Sequence, residues 1–294
     1  MNNYLVKATG FDGMVRAYTS TTTDVIEEAR RRHDSWATAT AALGRTMTIS
    51  TMMGAMLKGD DTLTVKVEGD GPLGAIVVDA DTKGNVRGYV QQPQTDLPIN
   101  SFGKLDVAGA VGTTGTLSIV KDLGMKDYFT GQVELVSGEI SEDFTYYFAH
   151  SEQIPSAVGA GVLINPDHTV LAAGGFIVQM MPGATEEVIE AVEKNITNMP
   201  SISESIEQGK TPEELLDLLF GDASYTILDK SPIMFTCKCS KERFEQAIVG
   251  LGTEEIQTMI TEDKGAEAQC HFCNEIYHFS EEELMHCLEE AKEQ

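Results

Sequence analysis

The sequence predicts an α+β protein in three parts. An N-terminal mixed α/β-sheet core domain spans residues 1–181, a helical linker spans 182–231, and a small four-cysteine domain spans 232–294. Three observations carry this reading. Strand-like alternation and helix-like periodicity are mixed up to Met181. After "MMPG" (Met180 to Gly183) the pattern turns helical and acidic, with 25 acidic against 8 basic side chains in residues 181–294. The five cysteines, Cys237, Cys239, Cys270, Cys273 and Cys287, fall in the last fifth of the chain.

A chain of 294 residues is long enough for one sizeable domain and a smaller one, and 41% hydrophobic residues is ordinary for a globular protein. The net charge of −25 disfavours nucleic acid as a partner, because phosphate binding needs a basic face. The start, "MNNYLVKATGFDG", has no basic region followed by an apolar one, and no apolar run approaches the roughly 20 residues of a membrane span. A soluble, cytoplasmic protein without a membrane partner is expected. In a reducing cytoplasm, four cysteines in two close pairs read as a metal site, a redox switch, or both.

Along the first domain, "YLVKATG" and "MVRAYTST" alternate as two strands around the turn "FDG". A helix follows in "TTTDVIEEARRRHD", where Asp24 and Glu27 have capping-box spacing. A second helix runs from Ser35 to Leu57. Its Met47, Met52, Met53 and Met56 read more readily as core than as a binding surface. Residues 62–90 form a three-stranded meander, and further strands are expected at "GTLSIVKD", "GQVELVSG", "AVGAGVLIN" and "TVLAAGGFIVQM".

The linker contains "TEEVIEAVEKNI" and "TPEELLDLLFG". The second has a strong start: Thr211 as N-cap, Pro212 at the first helical position and Glu214 closing the box, with Gly221 at the end. Such short helices are marginal without a neighbour to pack on, so the linker reads as metastable. In the last domain, "SKERFEQAIVGLG" and "TEEIQTMITED" read as helices. "AEAQCHFCNEIYHFS" reads as two short strands around a knuckle, and "SEEELMHCLEEAKEQ" as a final helix capped by Ser280 and Glu283. About 60 residues with few large apolar side chains are short of core, and modules of this kind need a metal or a disulfide to fold.

Cys237-x-Cys239, 30 intervening residues and Cys270-x-x-Cys273 form the sharpest signal. Four thiolates in two close pairs close a tetrahedron around one zinc ion and leave no open position, which makes the metal structural rather than catalytic. His271 and His278 are weaker candidate ligands, and Cys287 reads as a spare, partly buried thiol. A disulfide between neighbours i and i+2 would demand local backbone change, and strained disulfides are the labile kind. "GDGPLG" at 69–74 matches G-x-G-x-x-G, but a strand rather than a helix follows, so it reads as a hairpin turn and not a dinucleotide site. No phosphate-binding loop with G-x-x-x-x-G-K-[ST] spacing occurs, which argues against ATP. The six histidines lie in no nucleophile motif, and no enzyme is expected.

The cysteine pattern resembles that of the bacterial redox-regulated 33-kilodalton heat-shock chaperones. The resemblance extends through "CSKERFEQAIVGLG", "GRTMTISTMMGAMLKGDD", "EGDGPLGAIVVDA", "NVRGYV" and "GQVELVSGEI". It implies an ATP-independent holdase that is inactive when reduced and zinc-bound. Oxidative stress, such as hypochlorite or peroxide with heat, would form the disulfides Cys237–Cys239 and Cys270–Cys273 and release zinc. The zinc domain and linker would unfold, and the active, dimeric protein would hold unfolded client proteins. The competing reading is a zinc-ribbon interaction module on an α+β scaffold. The acidic surroundings of the cysteines speak against its binding nucleic acid, and an all-cysteine ligand set speaks against a zinc hydrolase.

Overall fold

A computed structural model describes residues 3–293. Strands β1 (Tyr4–Gly10) and β2 (Val15–Thr21) form a hairpin and are followed by helices α1 (Thr23–His33) and α2 (Ala37–Gly54). The meander β3 (Thr62–Gly69), β4 (Ala75–Asp81) and β5 (Asn85–Val90) comes next. "GDGPLG" turns β3 into β4, as expected of a hairpin. Short α3 (Val107–Val111), β6 (Gly115–Asp122), β7 (Phe129–Glu134) and α4 (Ser141–His150) lead to β8 (Ser156–Ile164) and β9 (Val170–Met180). The linker region holds α5 (Glu186–Asn198), α6 (Ile202–Glu207) and α7 (Pro212–Phe220), then β10 (Tyr225–Pro232) and β11 (Met234–Phe235). The last part contains α8 (Lys241–Val249), α9 (Thr253–Thr258), β12 (Gly265–Gln269), β13 (Ile276–Ser280) and α10 (Glu281–Glu293).

The chain divides into two compact units, residues 1–236 and 237–294. The first contains a five-stranded sheet in the order β10-β1-β2-β9-β8 and a six-stranded sheet in the order β11-β5-β4-β3-β6-β7. Their pairings are antiparallel except β11 with β5. Helix α2 lies in the core cluster that both sheets share and is buried almost all round, as expected of a helix without a polar face. Met47, Met52 and Met53 are wholly buried there, so they serve packing rather than binding. Along α2, Thr46 and Thr51 donate their hydroxyl protons to the carbonyls of Ala42 and Met47, which lets a threonine-rich helix be buried. On the other face of the five-stranded sheet, Val6, Ala8, Ala17 and Val178 meet Val188, Leu215, Leu219 and Phe220 of the linker helices.

Helix α7 starts as its sequence predicts: Thr211 Oγ1 accepts from Glu214 N–H, and the Glu214 carboxylate accepts from Thr211 N–H. The expected box at Asp24 and Glu27 does not form. Helix α1 begins two residues earlier, with Thr22 rather than Asp24 at the N-cap position; Asp24 bonds with Asn3, and Glu27 pairs with Arg30 and accepts from Val170 N–H. The stretch expected to be helical up to residue 231 instead ends in β10, paired along the whole of β1. Among the described residues, no helix is long and apolar enough to cross a membrane.

Candidate metal centre

Residues 237–294 have a core of their own, made by Ile248, Val249, Ile256, Ile260, Phe279, Leu284, Cys287 and Leu288. That is a small apolar cluster for a unit of this length, and it lies on α8, α9 and the helical turn after it (Met259–Asp263), β13 and α10 rather than on the segments that carry Cys237, Cys239, Cys270 and Cys273. Cys237 and Cys239 sit on extended chain just before α8. Ser240 caps that helix, its Oγ accepting from Arg243 N–H, while the Arg243 guanidinium donates to the Lys238 carbonyl at 2.9 Å. The second pair sits in the turn between β12 and β13. Cys270 N–H donates to the Glu275 carbonyl at 2.9 Å, and Asn274 N–H donates to the Cys270 carbonyl at 2.8 Å. Asn274 takes φ +58°, a left-handed conformation that asparagine tolerates better than most residues. This is the knuckle expected between two short strands, held by backbone bonds.

The four Sγ atoms all lie within 4.8 Å of one another. Cys237 Sγ is 3.7 Å from Cys270 Sγ, and Cys239 Sγ is 3.3 Å from Cys273 Sγ. A tetrahedron with metal–sulfur bonds of about 2.3 Å has sulfur–sulfur edges of about 3.8 Å, so the cluster is of the size that zinc requires. Cys270 and Cys273 are buried, and Cys237 and Cys239 half-buried. Burial pushes the Cys270 and Cys273 thiols up, and the neighbouring sulfurs push Cys273 further. Four thiols gathered this closely and partly shielded from water are an unfavourable place for negative charge unless a cation shares it. The donor set and its spacing thus fit a thiolate-bound metal ion.

Tyr277 was not singled out from the sequence. Its hydroxyl donates to Cys239 Sγ at 3.3 Å, and its ring packs on Phe244 of α8 with centroids 5.1 Å apart. The β12–β13 register, which sets Tyr277 opposite Ala268, aims the side chain there. His278, a weaker candidate ligand, is exposed and lies 3.4 Å from Glu267 instead. Neither His278 nor His271 belongs to the metal-capable group found among the described residues. Cys287 is buried in the apolar cluster on α10, away from that group, and burial pushes its thiol up.

Comparison with known proteins gives one consistent result. Residues 3–280 match the family model described as Hsp33 protein. The chain is 66% identical to the 33 kDa chaperonin of Oceanobacillus iheyensis, over 97% of this chain and 98% of that one. It is 61% identical to the 33 kDa chaperonin of Bacillus subtilis, over 96% of this chain and 97% of that one. Among solved structures it resembles the 33 kDa chaperonin (heat shock protein 33 homolog) of Thermotoga maritima. The TM-score is 0.94 at 40% identity, covering 100% of both chains.

Proposed function

The chain belongs to the Hsp33 family, and from that premise we propose that it is a redox-regulated, ATP-independent holdase, switched off by one zinc ion held between Cys237, Cys239, Cys270 and Cys273. The observation that carries the reading is the gathering of those four sulfurs within 4.8 Å, in a unit with a small core. Bound there, zinc keeps four thiolates ionised and ties together two segments that are 30 residues apart.

In the switch we propose, two thiolates of one pair give two electrons to hypochlorous acid. A sulfur–sulfur bond forms, the chlorine leaves as chloride and the oxygen as hydroxide. The same step on the second pair completes Cys237–Cys239 and Cys270–Cys273. Disulfides are poor zinc ligands, so the metal leaves. Residues 237–294 then lose their main support, and the linker over 182–231 follows. Its helices cover a sheet face on which Val6, Ala8, Val15, Ala17 and Val178 are buried. Unfolding client proteins bind the exposed apolar surface, and the active form is a homodimer. The cytoplasm suits this cycle, because its reducing poise keeps the thiols in their zinc-binding form between episodes of stress.

The test is aggregation of an unfolding client, followed with reduced zinc-loaded protein and again after hypochlorite treatment. Suppression by the oxidised form alone is the predicted result. Full suppression by the reduced, zinc-loaded form would overturn the switch.

A further inference from the structure

We propose that the edge of β1, vacated by β10 when the linker detaches, takes an extended segment of a client polypeptide as an added strand. The inference rests on the chaperone reading above and assigns part of the client's binding mode.

Strand β10 shows what this edge accepts. It pairs with all of β1, from Tyr4↔Pro232 to Gly10↔Tyr225, with one register shift between Lys7 and Ala8. Yet its central residues, Thr226 to Lys230, are all exposed. Successive side chains of a strand point to opposite faces. Ile227 and Leu228 are exposed by 37% and 51%, so neither face of this strand is covered. The edge therefore holds its occupant mainly through the backbone and reads its side chains little. Main-chain pairing of this kind gives affinity without sequence preference. That suits a protein whose partners share an unfolded state rather than a motif, and it favours a client segment as the occupant.

On the β1 side the edge strand is anchored by buried apolar side chains. Leu5 faces the core shared with α2, and Val6 and Ala8 face the linker helices; all three are at most 1% exposed. A bared strand edge flanked by apolar surface is a template for pairing with another chain. The same helices that cover the sheet face also fasten β10. Glu213 of α7 accepts from Tyr4 Oη at 2.5 Å and forms an ion pair with Lys230 of β10. Tyr225 Oη donates to Asp217 of α7 at 2.7 Å, and the Tyr225 ring stacks on Phe220 with centroids 5.0 Å apart. Loss of α7 thus removes the main side-chain ties of β10, and the edge and the apolar face open in one event.

The test uses the full chain after complete oxidation and zinc release, with carboxymethylated α-lactalbumin as a permanently unfolded client, and follows amide hydrogen exchange. The alternate amides of Tyr4–Gly10 that point to β10 rather than to β2 should become fast on oxidation and slow again by about tenfold or more when the client is added, while those bonded to β2 stay slow throughout. A peptide with the sequence of residues 225–232, YTILDKSP, should displace the client; the same peptide N-methylated at alternate residues should not. Client binding with those β10-facing amides still fast, or without competition by the peptide, overturns strand addition and leaves the chaperone reading standing. Protection that returns without client and rises with protein concentration assigns the edge to a second copy and overturns the client as occupant. Failure of the oxidised protein to bind the client overturns the chaperone reading, and this inference with it.

Discussion

Cys239 Sγ lies 3.3 Å from Cys273 Sγ, 34 positions further along the chain. Cys237 and Cys270 form the matching contact at 3.7 Å. These close approaches run between the two motifs, whereas the proposed disulfides run within them. Oxidation on that scheme exchanges a clip that closes a long loop for two small rings that constrain almost nothing. The same sulfurs therefore fold the unit in one state and abandon it in the other. The double variant Cys237→Ser/Cys270→Ser tests this, because of the four clustered cysteines only Cys239 and Cys273 remain, 3.3 Å apart, while Cys287 is buried in the apolar cluster. Its oxidised form should keep residues 237–294 resistant to protease, with a loop-closure contribution of about 4 kcal/mol. Equal protease sensitivity in this variant and in the oxidised parent would contradict the loop-closure account.

The hydroxyl of Tyr277 on Cys239 Sγ should strengthen that ligand's hold on the metal. Tyr277→Phe keeps the ring on Phe244 and removes the hydrogen bond. Zinc affinity, measured by competition with a chromogenic chelator, should fall by about tenfold to a hundredfold. Unchanged affinity would reduce the contact to packing.

The attachment of the linker can be weakened without touching a cysteine. Phe220 is 1% exposed and packs between Phe11 and Tyr225. Phe220→Ala should cost about 3–5 kcal/mol of linker docking, seen as faster proteolysis between residues 184 and 221 and as holdase activity in the reduced protein. Leu228→Ala, at a residue 51% exposed, should stay within about 0.5 kcal/mol. Comparable effects from both substitutions would contradict the packing described for α7.

Alkali should loosen the same attachment. Burial, and then the hydrogen bond to Glu213, pushes Tyr4 up to about 12; burial, and then the bond to Asp217, pushes Tyr225 up to about 12. Both phenols are raised above an ordinary value of about 10. Their stabilising contribution is complete below pH about 10 and is lost as the pH rises through about 12. Phenolate absorbance and linker proteolysis should change together in that window, and Tyr4→Phe/Tyr225→Phe should remove the step from both. Ionisation of both residues near 10 with no loosening would contradict the assignment.

Much of this architecture is legible in the sequence where the local signal and the tertiary role agree. Thr211, Pro212 and Glu214 mark α7 because the cap needs no distant partner. Ser280 and Glu283 likewise reciprocate at the start of α10. The cysteine pairs are legible because turn-borne chelation has a characteristic spacing. Helix α4 is hidden, because its "TYYF" run reads as β-forming. It is anchored from outside: the buried Asp143 carboxylate accepts from the N–H groups of Val136, Ser137 and Ile140. Strand β10 is hidden for another reason. With neither face buried it has no alternation, and its adjacent Ile227 and Leu228 carry no period. The role of Tyr277 depends on the hairpin register, which composition does not encode.

The central claim is that four clustered thiolates and one zinc ion hold the off state. It is tested most directly by counting zinc and reactive thiols per chain, before and after hypochlorite treatment, while aggregation of a thermally unfolding client is followed in the same samples. The account predicts one zinc before and none after, four thiols lost while Cys287 survives, and suppression of aggregation appearing in step with zinc release. Zinc retained by a fully active oxidised protein, or full activity with zinc and all thiols intact, would contradict it.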